Sequence, residues 1–190
     1  MITSDTATHL LDAAQLLIQK RGYNAFSYKH LATTVGIRTA SIHYHFQTKA
    51  DLGKALMDRY LAELEQALDD IARKSRTNKA KLEDFINLYR ETENDGVICL
   101  CGSLATDYET LPEDLQRAVS SYFERAEKWV AEMIDQGVAE GEFVLSGNSA
   151  DAAATLVASL QGGLILSRAR GGSPVLDNVQ RTFLAALNAS

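Results

Sequence analysis

Residues 27–49, SYKHLATTVGIRTASIHYHFQTK, decide how the rest of the chain is read. They predict two short helices joined by a tight turn. Ser27 is a good N-cap, and Leu31, Ala32 and Val35 recur at helical spacing. Gly36 follows where a helix commonly ends in a left-handed residue, which glycine adopts without strain. Ile37 is the apolar turn residue, and Thr39 or Ser41 can cap the second helix. Ile42 and Phe46 form its inward side. Its outward side carries Arg38, Thr39, Ser41, His43, Tyr44 and His45, a set of donors, cations and flat rings with no carboxylate. Such a face suits a DNA major groove, where phosphates and base edges offer mainly acceptors. The expected unit is a helix–turn–helix with its second helix in the groove.

The same stretch, with its flanks, resembles the DNA-binding domain of the tetracycline-repressor (TetR) family of bacterial transcription regulators. The matching pieces are AAQLLIQKRGYNAFS (13–27), HLATTVGI (30–37), ASIHYHF (40–46) and QTKADL (47–52). Members of that family usually carry Tyr where this chain has His43. The resemblance implies a small N-terminal DNA-binding domain, a larger helical ligand-binding domain and a homodimer. Carried onto this sequence, the DNA-binding residues are Ser27, Tyr28, Lys29, Arg38, Thr39, Ala40, Ser41, His43, Tyr44, His45 and Lys49. Lys29 and Lys49 are expected to anchor phosphates, and His45 to pack partly beside Phe46.

Charge is distributed to match. The chain has a net charge of −6, yet residues 1–60 hold seven Lys/Arg against four acids, a net +3, which leaves −9 for the remainder. All four histidines also lie in the first part. A basic head on an acidic body is what local phosphate binding requires. The chain of 190 residues is 46% hydrophobic with two prolines and no long alternating runs, so an all-α fold is expected. No apolar run reaches the ~18–20 residues that span a bilayer, and the first residues lack the basic start of a signal peptide. Two cysteines in such a chain suggest free thiols in a reducing, cytoplasmic setting.

Taken in order, helix 1 is expected over residues 6–21, the two motif helices next, and a long fourth helix from about Thr48 to Arg73. Thr48 and Asp51 are its capping pair. That helix links the two parts of the chain and can transmit movement. A polar break at 74–81 precedes helix 5, a short buried helix is expected within 97–108, and helix 7 begins near Pro112. Helix 8 should span about 149–170 and helix 9 the end of the chain. The domains expected are a helix–turn–helix domain over 1–50 and a regulatory domain over 51–190, about nine helices in all.

Within the body, Tyr89, Tyr108, Tyr122, Phe123, Trp129, Met133 and Gln161 are candidates to line a ligand pocket, on the strength of the resemblance. Leu156, Leu160, Gly163, Leu164, Val179, Phe183 and Leu187 are candidates for a dimer interface, in a four-helix bundle built from helices 8 and 9 of two copies. Cys99 and Cys101 are redox candidates. CLCG is not CxxC, its surroundings are apolar, and no Lys or Arg lies between Arg90 and Arg117 to activate a thiolate. His43 and His45 at i, i+2 point to different sides of a helix, so they are not a shared metal site. No cofactor is expected. Phosphate loops, HExxH and GxSxG are absent and every His lies in the head, which argues against an enzyme. The function expected is a repressor that binds an inverted-repeat operator as a homodimer, without membrane contact, and is released by an unknown small molecule. The alternative is a thiol-based oxidant or electrophile sensor regulator using Cys99 or Cys101, with a small helical enzyme ranked behind it.

Overall fold

The computed structural model describes residues 3–172 and 174–188. It is all-helical, with no strand among the described residues. Nine α-helices follow one another there: α1 (Thr3–Arg21), α2 (Tyr28–Val35), α3 (Thr39–His45), α4 (Lys49–Lys74), α5 (Asn78–Asn94), α6 (Leu100–Ala105), α7 (Glu113–Ala139), α8 (Ser149–Arg170) and α9 (Val175–Ala186). A 3-10 turn, Tyr108–Thr110, separates α6 from α7.

Local chemistry sets most of these bounds. Ser27 Oγ accepts the His30 N–H at 3.4 Å and starts α2. Gly36 (φ 77°) ends it, and both Gly36 and Ile37 donate their N–H to the Ala32 carbonyl. At α4 the Asp51 N–H donates to Thr48 Oγ1 (3.1 Å) while the Thr48 N–H donates to Asp51 Oδ2 (2.9 Å), a reciprocal capping box. Thr77 and Asn148 cap α5 and α8 with a side-chain oxygen that accepts the N–H of Ala80 and of Asp151. One expectation fails here. Neither Thr39 nor Ser41 caps α3: Arg38 holds the N-cap position with no side-chain bond, and Thr39 is already helical.

The chain divides into two compact units, one of Met1–Glu63 with Leu100–Ser121 and one of Leu64–Cys99 with Tyr122–Ser190. The cut expected at residue 50 is linear, whereas these units are discontinuous in sequence. Both boundaries that follow the head fall inside long helices, α4 and α7. In the first unit, Leu10, Ala14 and Ile18 of α1, Phe26, Leu31 of α2, Ile42 of α3 and Leu52, Leu56 and Met57 of α4 are fully or almost fully buried. Segment 100–121 completes this core. Buried Ser103 of α6 donates Oγ–H to the Ile18 carbonyl at 2.7 Å. Asp107 accepts the Asn24 N–H (3.0 Å) and an Asn24 side-chain N–H (2.9 Å), and the same amide donates to Thr110 Oγ1 (2.8 Å).

In the second unit, α5 packs against α8 and α9. Phe85 stacks on Trp129 with centroids 5.6 Å apart and tilts against Tyr89 at 5.7 Å. Arg125 grips Glu65 with two parallel hydrogen bonds of 2.6 and 2.8 Å. By length and composition, α8 is the described helix that could cross a bilayer. Here its apolar side lies within this unit, with Leu156, Leu160 and Leu164 at 0–2% exposure.

Candidate nucleic-acid interface

α3 is held from behind and open in front. Ile42 is buried and anchors it, while Thr39, Ala40, Ser41, His43 and Tyr44 are exposed. Tyr44 stands out at 77% exposure, the highest of the exposed large hydrophobic side chains. Exposing a large ring costs hydrophobic free energy, so it is a natural candidate to contact a partner. His45 is half-buried with its ring set edge-on to Tyr44 at 5.2 Å. Arg38, Ala40, Ser41, Tyr44 and His45 share one open depression of about 570 Å³ with Ile37 and Thr6. Thr6 of α1 is an addition that spacing within residues 27–49 could not supply. Among the described residues that line it there is no acidic side chain, as a surface meeting phosphates requires.

Two residues assigned to DNA from sequence are turned inward instead. Tyr28 donates its hydroxyl to the carbonyls of Phe46 (2.9 Å) and Thr48 (2.5 Å), so it ties α2 to the α3–α4 junction. Burial, with the charge of Asp51 and Tyr23 behind it, pushes its hydroxyl up to about 12. Lys49 donates to the Tyr23 carbonyl at 2.5 Å and sits 4.1 Å from the centre of the Tyr23 ring and 5.4 Å from that of Phe26. Burial lowers its pKa, and the nearby Asp107 carboxylate partly offsets this. Ser27 is spent on its cap.

The charge pattern thins accordingly. Lys54 pairs with Asp58 at 2.7 Å, and Arg59 with Asp12 at 2.6 Å. Among the basic side chains of the motif, Lys29 and Arg38 are exposed and carry no ion pair among the described residues. They, with the α3 face, are the groups available to an anionic partner.

Farther along the chain the sequence candidates separate. Tyr108 lies in the first unit, half-exposed, with its hydroxyl 3.4 Å from Ser120 Oγ. Tyr89, Tyr122, Trp129 and Met133 are buried in the second unit, where Phe123 and Gln161 are half-buried. Gln161 Nε2 is shielded from solvent and has no hydrogen-bond partner among the described residues. Cys99 and Cys101 are free thiols, 2% and 0% exposed, and the Cys101 thiol lies 3.9 Å from Met57 Sδ. No group of three or more His, Cys, Asp or Glu side chains that could hold a metal occurs among the described residues.

The dimer candidates also sort by burial. Leu156, Leu160, Leu164 and Leu187 are 0–2% exposed within the single chain, so their side chains offer no area to a second copy. Gly163 serves a contact inside the chain, since a Cβ there would lie 2.7 Å from Leu176 Cδ2 of α9. Val179 and Phe183 are half-buried and line a groove of about 380 Å³ between α8 and α9, with Thr155, Ser159 and Val175. Ile165 and Leu166, also on α8, are 48% and 44% exposed. An apolar periodicity reports a buried face; it does not say which copy buries it.

Known proteins share this architecture. The family profile described as "Bacterial regulatory proteins, tetR family" matches residues 10–56, and that described as "Tetracyclin repressor-like, C-terminal domain" matches residues 79–183. The chain is 30% identical to a TetR-family transcriptional regulator from Agrobacterium tumefaciens, with a TM-score of 0.93 over 98% of this chain and 99% of that one. A TetR transcriptional regulator from Legionella pneumophila is 31% identical, with a TM-score of 0.85 over 95% and 96% of the two chains. Among curated proteins, the HTH-type transcriptional repressor NemR of Escherichia coli (strain K12) is 24% identical over 143 residues, 72% of this chain and 69% of its own.

Proposed function

The chain belongs to the tetR family of bacterial regulatory proteins, and from that premise we propose that this transcription regulator represses by binding an inverted-repeat operator as a homodimer, and leaves it when a small molecule binds. The observation that carries the DNA part is the exposed α3 face, with Tyr44 at 77% exposure and no carboxylate among the described residues of its depression. Arg38 and Lys29 contact phosphates, and Thr39, Ala40, Ser41 and Tyr44 face the groove. Two such heads related by a two-fold axis read half-sites about 34–36 Å apart.

The groove between α8 and α9, together with the exposed Ile165 and Leu166 elsewhere on α8, supports a second copy as the occupant of this face. A two-fold axis brings the same patch from both subunits together. For the effector, the buried and unpaired Gln161 Nε2 is a group that a ligand oxygen would satisfy. The aromatic side chains Phe85 of α5 and Trp129 of α7 lie in the same unit. Deep burial of both cysteines disfavours the oxidant-sensor reading.

Selection of bound duplexes from a random pool tests the proposal. An enriched inverted repeat with half-sites one helical turn apart is the expected result. Enrichment of no repeat, at low salt and micromolar protein, sinks it.

A further inference from the structure

His43 is held in one tautomer. Its Nδ1 lies 2.9 Å from the Gln47 carbonyl. A carbonyl only accepts, so Nδ1 carries the hydrogen. The ring is fixed a second time by Tyr28, whose ring meets it edge-on with centroids 4.9 Å apart. Tyr28 is itself pinned through its hydroxyl to the Phe46 and Thr48 carbonyls. The side chain is exposed, and Nε2 has no partner among the described residues. With Nδ1 committed as a donor, neutral His43 presents a lone pair at Nε2, and only the imidazolium presents an N–H there.

DNA phosphates offer only acceptors. A neutral Nε2 facing a phosphate oxygen would set lone pair against lone pair. We propose that His43 couples DNA binding to proton uptake: Nε2 donates to a backbone phosphate oxygen as the imidazolium, so each subunit takes up one proton from solvent on binding and releases it on leaving. This inference rests on the DNA-binding reading above.

The neighbouring titratable groups do not substitute for it. On α2, the Tyr28 hydroxyl ionises only near 12. At the start of α4, the Asp51 carboxylate is occupied by the N–H and O–H of Thr48, and the Lys49 ammonium by the Tyr23 carbonyl. On α3 itself, the Tyr44 and His45 rings meet edge-on with centroids 5.2 Å apart.

The test uses the full-length protein, a labelled duplex of arbitrary sequence and fixed ionic strength, from pH 6 to 8.5. A phosphate contact is independent of sequence, so no operator is needed. Wild-type affinity should fall as pH rises across this range, by up to about tenfold per pH unit for each bound subunit. His43→Gln should flatten the profile. His43→Tyr should flatten it and hold the affinity at pH 8. In parallel, 15N spectra of the ring should show the Nδ1–H form in free protein at pH 8 and the imidazolium in the complex at the same pH. A wild type that binds the duplex with a slope unchanged in His43→Gln, or a neutral ring in the complex, overturns the proton coupling alone. A wild type that shows no salt-dependent binding of any duplex overturns the DNA-binding reading, and this inference with it.

Discussion

Lys49→Met separates two roles for the same charge. Methionine keeps the apolar stem that lies along the core and removes the ammonium. In the folded chain that ammonium bonds the Tyr23 carbonyl at 2.5 Å and lies 4.1 Å from the Tyr23 ring centre. A hydrogen bond to a charged group is worth about 1.5–3 kcal/mol. The lower end applies, because the site is half-exposed and the Tyr23 carbonyl retains the Phe26 N–H at 3.2 Å. A partly screened cation–π contact adds about 0.5–1 kcal/mol. The expected loss is therefore about 2 kcal/mol. For a chain of this length, about 2–4 °C per kcal/mol gives a fall in Tm of about 4–8 °C. Thermal melts monitored by circular dichroism read that fall. The slope of log affinity against log salt on a generic duplex reads the other role, since each phosphate contact contributes about 0.9 to it. The slope should stay where it is. A variant that melts like wild type and loses about one unit of slope would refute the reasoning, because Lys49 would then be spending its charge on DNA.

Two further outcomes are expected. Tyr28→Phe removes the hydroxyl that donates to Phe46 and Thr48, costing about 1–2 kcal/mol in urea unfolding at pH 8. The folded hydroxyl ionises near 12 against 10.0 for the ordinary group, so its share of stability is complete below pH 10 and lost as pH climbs from 10 to 12. The gap between wild type and variant should close over that window, and a gap that stays constant would refute the anchor. Leu166→Glu and Phe183→Glu each put a charge on the proposed dimer face without entering the subunit core, and sedimentation should give folded monomers with much weaker operator binding. Two variants that remain dimeric would remove α8 and α9 from the interface.

Much of the α3 region is legible in the sequence because its signals are local. The Gly36 turn, the Thr48–Asp51 cap and the outward set of α3 depend on neighbours within a few residues. Tyr28 and Lys49 defeat that logic. A tyrosine at a helix start and a lysine beside a helix–turn–helix look the same in sequence whether they reach out or fold in. What decides is the carbonyl each one finds, at Thr48 and at Tyr23, and those partners exist only after the helices are packed. The leucines of α8 are ambiguous for another reason. Leu156, Leu160 and Leu164 report a buried stripe, and burial within one chain or between two leaves the same spacing. The bond from Asn24 to Asp107 spans 83 residues and carries no local signal at all.

That last bond has a consequence for how the protein is made. The first unit needs Leu100–Ser121 to close its core, so the head cannot be completed when residue 63 leaves the ribosome. At 5–20 residues per second, the ribosome needs about 3–12 s more to reach residue 121. Throughout that interval α1, α2 and α3 wait for partners that do not yet exist. Their apolar residues are open to chaperones for that time, and a nascent chain stalled before Leu100 would display a reading helix on an unfinished base. A regulator built in this order cannot present a finished DNA-binding head before the second half of its chain is under way.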